Sequence, residues 1–251
     1  PSWIKYHLKS RSYYGHKGIY GKVLQITGCD HYRGAALLAS RAAVFSGSGV
    51  VCVCSSDKVI DALASTTPEC TSLLREEILD VNVFENRDAV LIGSGLGLNE
   101  QSERYVIDTL KNVKCPLVID GDALTIVSKH LDLLKSCSMP IILTPHHGEF
   151  KRLCFYNDEL EMVEKVSQFA SEYGVIVVLK GPNTIITDGN EVYRNITANK
   201  AMATAGMGDV LAGIITSFVG QGYLPKDAAI LGTYLHGSCG DIIGDNSYTC
   251  L

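Results

Sequence analysis

Ala89-Val90-Leu91-Ile92-Gly93-Ser94-Gly95-Leu96-Gly97 runs four consecutive apolar residues straight into a glycine-spaced turn, and Glu100–Asn112 then reads as a helix. A strand without polar alternation belongs in a sheet covered on both faces. The same pattern recurs outward from this stretch. Toward the N-terminus, Val23–Ile26 precedes an Ala-rich helix over Arg33–Phe45, and Val50–Val53 precedes a helix over Lys58–Ala64. Toward the C-terminus, Leu117–Ile119 and Ile141–Leu143 are strands, Glu159–Tyr173 is helical and Val175–Leu179 is again a strand. Thr184–Thr187 and Glu191–Arg194 flank Asp188-Gly189-Asn190, a hairpin signal. Helices over Asp209–Val219 and Asp227–Ile243 close the chain. Alternation of this kind predicts an α/β fold, with a mostly parallel central sheet and helices on both faces. No repeat, linker or charge block interrupts it, so residues 1–251 are expected to form a single domain.

The chain has 251 residues, 46% hydrophobic and 20% charged. That length buries roughly 70–75% of the unfolded surface and needs no crosslinks to fold. A formal net charge of −5 argues against a nucleic-acid or anionic-membrane partner, which would need a basic face. No apolar run approaches the roughly 18 residues of a membrane span, and Pro1-Ser2-Trp3-Ile4-Lys5 does not read as a signal peptide. The nine cysteines are scattered, with no C-x-x-C pair. They are expected to be reduced thiols in a cytoplasmic protein, with Cys52 and Cys54 on one strand face.

In open α/β sheets ligands bind at the carboxyl ends of strands, and the unusual residues of this chain fall there. Gly93–Gly97 follows one strand, Asp120-Gly121-Asp122 the next, and Thr144-Pro145-His146-His147-Gly148-Glu149 and Lys180-Gly181 the two after that. Leu98 stands where a dinucleotide fingerprint needs glycine, and no Walker A pattern occurs. The two histidines lack zincin spacing. Gly206-Met207-Gly208-Asp209 opens a helix, where free backbone N–H groups and the helix dipole form an anion site. A carboxylate beside a bound phosphate would repel it unless it accepts a proton from an attacking hydroxyl. The alternative is that Asp209 merely caps the helix. Lys180 is either a solvated strand cap or a phosphate contact.

Taken together, these residues resemble the ADP/ATP-dependent (S)-NAD(P)H-hydrate dehydratase family of the ribokinase-like superfamily. The resemblance runs from about Gly15 to Asp241 through His16-Lys17, Gly34–Ala39, Ile92–Gly97, Ile119–Leu124, Leu143–His146, Leu179–Gly181, Met202–Gly213 and Leu235-His236-Gly237. It implies a ribokinase-like fold and a carbon–oxygen lyase of metabolite repair. Such an enzyme removes water from the S epimer of hydrated NADH or NADPH by phosphorylating the ring hydroxyl and expelling phosphate.

Carried over by residue, the resemblance implies hydrate contacts from Ala35, Gly95, Gly97 and His146, with Asp209 as substrate contact and catalytic base. It implies nucleotide contacts from Lys180, Gly181, Pro182, Asn183, Thr184, Gly206, Met207 and Gly208. ATP or ADP is expected as co-substrate with Mg²⁺, whose ligands the sequence does not place; Asp120 and Glu149 are the candidates. A homo-oligomer is expected. His147, Lys200 and Ser94 stand where relatives often carry proline, changes that bear on loop stiffness. Many relatives carry an N-terminal epimerase domain, so the chain reads as a stand-alone form or as one domain of a larger protein. Two other functions share some of these features: a ribokinase-like kinase of a vitamin-precursor alcohol, and a nucleotide-binding regulator without catalysis.

Overall fold

The computed structural model describes residues 2–154 and 160–244. Glu159 and Cys250, which enter the expectations above, lie outside the described residues. Nine strands form one sheet: β1 (Lys22–Ile26), β2 (Val50–Ser55), β3 (Thr71–Leu74), β4 (Ala89–Ile92), β5 (Leu117–Ile119), β6 (Ile141–Leu143), β7 (Ile176–Leu179), β8 (Ile185–Thr187) and β9 (Val192–Arg194). Their order is β3-β2-β1-β4-β5-β6-β7-β8-β9. Every pairing from β3 to β7 is parallel, and β8 and β9 add antiparallel.

The helices are α1 (Ser2–His7), α2 (Arg33–Phe45), α3 (Asp57–Thr66), α4 (Glu100–Asn112), α5 (Gly121–Val127), α6 (Asp132–Ser136), α7 (His147–Leu153), α8 (Met162–Tyr173), α9 (Met207–Gly220) and α10 (Pro225–Gly244). Successive strand residues point to opposite faces, and the core divides accordingly. Val90, Ile92, Leu117 and Ile119 pack with Tyr105, Leu124, Phe150 and Phe169 from α4, α5, α7 and α8. Leu91 and Val118 pack on the other face with Leu211, Ile215 and Leu231 from α9 and α10. Val51 and Val53 meet Ala36, Val59 and Leu63 from α2 and α3. Cys52 and Cys54 share the first of these faces, as alternation requires.

Beyond the expected elements there are four short helices and one strand. β3, Thr-Ser-Leu-Leu, is an edge strand with three of its four residues exposed, so it carries no continuous apolar run. The helices α1, α5, α6 and α7 span only five to seven residues, too few for a clear periodicity. α7 starts because His146 and Glu149 cap each other: Nδ1 of His146 accepts from Glu149 N at 3.1 Å, and Glu149 Oε2 accepts from His146 N at 2.7 Å. Asp120–Asp122 and His147–Glu149, noted in the sequence only as following strands, are helix starts.

Candidate active site

Four parallel strands, β4 to β7, deliver their carboxyl ends to one region, and α9 arrives there from the far side of the chain. Gly206, φ +95°, is the residue before α9, a left-handed position that glycine adopts without strain. Asp209 is accordingly the third residue of the helix and not its cap. Its carboxyl group faces Ser94, Asp120, Asp122 and Lys180. Burial, with the Asp120 charge second, raises its pKa to about 6 against the pull of Lys180 and a hydrogen bond with Ser94.

Lys180, at the end of β7, is not a solvated cap. Its Nζ lies 2.9 Å from Asp120 Oδ1 and 3.9 Å from Glu149 Oε2, with only 19% of the side chain exposed. Burial alone would depress its pKa, but Asp120, Glu149 and Asp209 outweigh burial and hold the amine above its ordinary value. Asp120 accepts three hydrogen bonds, for besides Lys180 its Oδ1 accepts from Thr144 Oγ1 at 2.7 Å and its Oδ2 accepts from Ser94 Oγ at 2.9 Å. Asp120 and Glu149 thus face an ammonium group, and among the described residues no group of three or more His, Cys, Asp or Glu is arranged to hold a metal ion. This donor set does not fit a cation held by the protein alone.

A cavity of about 860 Å³ opens beside this cluster. Lys180, Gly181, Pro182 and Thr184 line one wall, and Gly206, Met207 and Gly208 line another. Seven of the eight residues expected around a nucleotide therefore share one cavity; Asn183 is exposed and does not line it. Gly208 keeps its neighbour close: a Cβ there would stand 3.1 Å from Lys180 Nζ. The loop from Asn195 to Ala205 covers the rim, with Thr197, Asn199 and Met202 in the lining. Thr233 and His236 from α10 form the remaining wall. Burial, and next to it Lys180, pushes the His236 imidazole down to about 4. Its wall is therefore uncharged at neutral pH.

The residues expected around the hydrated dinucleotide do not all come together. His146 lines the same cavity as Lys180, and the two residues form a β-bridge. Ala35, Gly95 and Gly97 gather on the other side of the β4 turn. A Cβ at Gly95 would stand 2.7 Å from Cβ of Ala35 and 2.9 Å from Cβ of Tyr32. Gly97 N donates to Asp122 Oδ2 at 2.8 Å, and Gly28 N donates to Ser94 O at 2.8 Å. Arg75, only 8% exposed, donates to the carbonyl oxygens of Gly28 and Leu96, and so ties the β1 and β4 turns together.

The sequence reading missed Arg75, Ser94, Asp122 and the exposed Tyr32 beside Gly95. Asp122 and Ser94 were in the quoted motifs, but only the fold shows what they bond. Arg75 had no local signal, because its two partners lie in turns 47 and 21 residues away.

Comparison with known proteins gives the family and the fold. The NAD(P)H-hydrate dehydratase family matches residues 23–251. The chain belongs to that family. It is 38% identical to an ADP-dependent (S)-NAD(P)H-hydrate dehydratase from Staphylococcus aureus over 93% of this chain and 85% of the relative. The fold superposes on a ribokinase-like superfamily protein from Enterococcus faecalis with a TM-score of 0.92, at 32% identity, covering 100% of this chain and 89% of that one. It superposes with a TM-score of 0.88, at 32% identity, on the Bacillus subtilis ADP/ATP-dependent NAD(P)H-hydrate dehydratase co-crystallised with ATP and Mg²⁺, covering 98% of this chain and 90% of that one. The chain spans about half the length of the bifunctional NAD(P)H-hydrate repair enzymes that it also matches, 48% in the case of Moorella thermoacetica. The family's ribokinase-like fold is thus the fold of this chain.

Proposed function

We propose that the chain dehydrates the S epimer of hydrated NADH or NADPH, with ATP or ADP as phosphoryl donor, and that Asp209 is its base. The observation that carries this reading is Asp209 itself. It is a partly buried carboxyl with its pKa raised to about 6, at the third position of a helix whose opening residues line the large cavity. A base with a pKa just below neutral is mostly ionised at pH 7 and still accepts a proton readily.

In this reading Asp209 takes the proton of the ring hydroxyl as its oxygen attacks the terminal phosphorus of the nucleotide. Backbone N–H groups at Gly206–Gly208 face the transferred group, and Lys180 offsets charge between it and the carboxylates. The ring C–O bond then breaks with the electron pair on phosphate, assisted by the ring nitrogen lone pair. Loss of the neighbouring C5 proton restores the double bond. Hydroxide leaves poorly and phosphate leaves well, which is why a nucleotide is needed. The metal comes with the nucleotide phosphates, in keeping with the lack of a three-ligand cluster among the described residues. Hydrate binding is assigned to Ala35, Gly95 and Gly97 beside the β4 turn, with His146 between the two ligands. We also place the chain in the cytoplasm, as a homo-oligomer whose mass light scattering would measure.

The test is direct. Hydrated NADH incubated with the protein and ATP or ADP should regain the near-ultraviolet absorbance of the reduced nicotinamide ring. No recovery with either nucleotide overturns the reading. Build-up of a stable phosphorylated alcohol would favour the kinase alternative.

A further inference from the structure

Arg75, just after β3, is a buried cation without an acid beside it. Among the described residues no carboxylate lies within ion-pair distance of its guanidinium. Its Nη1 donates to Leu96 O at 3.3 Å and its Nη2 to Gly28 O, while its Nε has no partner among the described residues. The Tyr105 ring centre lies 5.8 Å from the guanidinium carbon. Burying a charge is costly unless it is well paired. Two carbonyl oxygens are a poor substitute for an acid, so stability alone does not account for Arg75.

The oxygens it holds belong to the two turns that close on each other. In a planar trans peptide the C=O and the N–H point in opposite directions. The Leu96–Gly97 peptide gives its oxygen to Arg75, and its N–H donates to Asp122 Oδ2 at 2.8 Å. One peptide unit is thus held at its oxygen by a cation and at its hydrogen by an anion. Asp122 grips the same turn a second time, because its own N donates to Gly93 O at 3.2 Å. Ser102 Oγ also donates to Leu96 O, at 3.1 Å. Gly97 has φ +89°, and a Cβ there would meet nothing beyond its chain neighbours nearer than Ser102 Oγ at 3.7 Å. Gly95 is packed tightly, whereas Gly97 presents an open face.

We propose that Arg75 and Asp122 are paired positioning residues for hydrate binding, coupled through the Leu96–Gly97 peptide that they hold from its two ends. They fix the plane of that peptide, and with it the open face of Gly97 against which the hydrate rests. Hydrogen bonds at both ends of one peptide polarise it and strengthen each other. The proposal rests on the hydrate being bound at Ala35, Gly95 and Gly97.

Binding is the readout, because Asp122 also faces Asp209 and its loss would disturb turnover for a second reason. Hydrated NADH can be titrated onto the protein without nucleotide, so that no reaction follows. Arg75→Met and Asp122→Ala should each raise the hydrate Kd about tenfold, the usual size of one hydrogen bond to a charged group. Nucleotide Kd should stay within about twofold, since neither residue lines the cavity. The double variant should lose about as much as either single one, not the roughly hundredfold of independent sites. Asp122→Asn keeps an acceptor for Gly97 N and should hold the hydrate Kd within about twofold of wild type. Amide hydrogen exchange at Gly97, followed by NMR, should be faster in both single variants. If Arg75→Met does not fold, Arg75→Lys, which keeps the charge but not the fork, takes its place and should also weaken the hydrate.

An equal loss of both ligands overturns the proposal, because it would mark the two residues as purely structural. So do losses that simply multiply in the double variant. Gly95→Ala separates the two levels. If it weakens the hydrate while Arg75→Met and Asp122→Ala do not, the proposal is wrong. If all three leave the hydrate unaffected, the assignment of the hydrate site fails instead, and exchange at Gly97 then decides whether the two side chains hold that peptide.

Discussion

On the side of β6, β7 and α9 the strand ends open into a cavity of about 860 Å³, whereas on the side of β1 and β4 the turns close against each other. Both sides are rich in glycine, yet the glycines do different work. Gly206 and Gly208 leave room beside Lys180 and open a helix end toward the cavity. Gly95 lets two turns touch, so that Ala35 and Tyr32 can approach the β4 turn closely. One side is shaped as a receptacle and the other as a clamp between loops. Asp209 and Ser94 stand where the two meet. A glycine-rich turn is therefore not in itself a sign of a ligand cradle; what a side chain there would strike decides which kind it is.

If the two sides meet at Asp209, removing that carboxylate should have the largest effect of all. Asp209→Asn is expected to lower kcat by about 10²–10⁴-fold, the usual contribution of a positioned base, with nucleotide affinity retained in a binding titration. Turnover near the wild-type rate would leave the two regions without a shared centre. In the wild-type protein the same group sets the acid limb. The base works when ionised, so with its pKa at about 6 the rate should fall as the pH drops through that value, approaching tenfold per unit below it. A limb lying well below pH 5 in a kcat profile would point to a different base.

Two substitutions pull the sides apart. Gly208→Val puts a side chain against Lys180 Nζ without strain at a left-handed backbone angle, since Gly208 is not among the positive-φ glycines. Overpacking of this kind costs about 1–3 kcal/mol. Nucleotide Kd should rise about tenfold or more, while hydrate Kd changes little. Gly95→Ala should do the reverse, raising the hydrate KM and lowering Tm, since its Cβ meets Ala35 at 2.7 Å on a backbone at φ +63°. If either variant weakened both ligands equally while remaining folded by circular dichroism, the division of labour would be wrong. The smallest effect concerns the cap shared by His146 and Glu149. Glu149→Ala should cost about 1 kcal/mol in chemical denaturation, as lost caps do. The accompanying change in nucleotide affinity measures how far α7 steadies the cavity wall.

The sheet was legible because burial on both faces leaves short unbroken runs such as Val90–Ile92 and Leu117–Ile119, each closed off by a glycine-bearing turn and followed by a helical stretch. Helices α2 and α4 were legible to the residue, since an Ala-rich stretch and an Asn99 cap define them locally. The starts of α9 and α10 were read two residues late, because Gly206 and Pro225 rather than a polar cap begin them. The edge strand β3 was not legible, since an edge with three of four residues exposed has no continuous apolar run to give. At the site, Asp209, Lys180 and the Gly206–Gly208 turn stood out because glycine and charge at a strand end or helix start are locally conspicuous. Arg75 and Ser94 act on partners far away in sequence, and nothing in their own neighbourhood announces it. His146 was legible as a site residue but was expected to sit with Ala35 and Gly97; its bridge to Lys180 puts it on the cavity side.

The hairpin of β8 and β9 makes the chain leave the cavity rim after Lys180, cross to the opposite end of the sheet and return at Asn195, all within the interval a single loop could have filled. That detour works as a handle. Its tip, Asp188–Asn190, lies a full strand length from the rim, fixed by the bonds from Asn190 N and Glu191 N to Asp188 and by Lys226 from α10. A fluorophore or surface tether attached at the exposed Asn190 would report on or immobilise the protein from behind and leave the cavity entrance open. The returning arm, residues 195–206, is the stretch where chain length could vary between versions of the fold to fit larger or smaller occupants, without any change to the strands beneath.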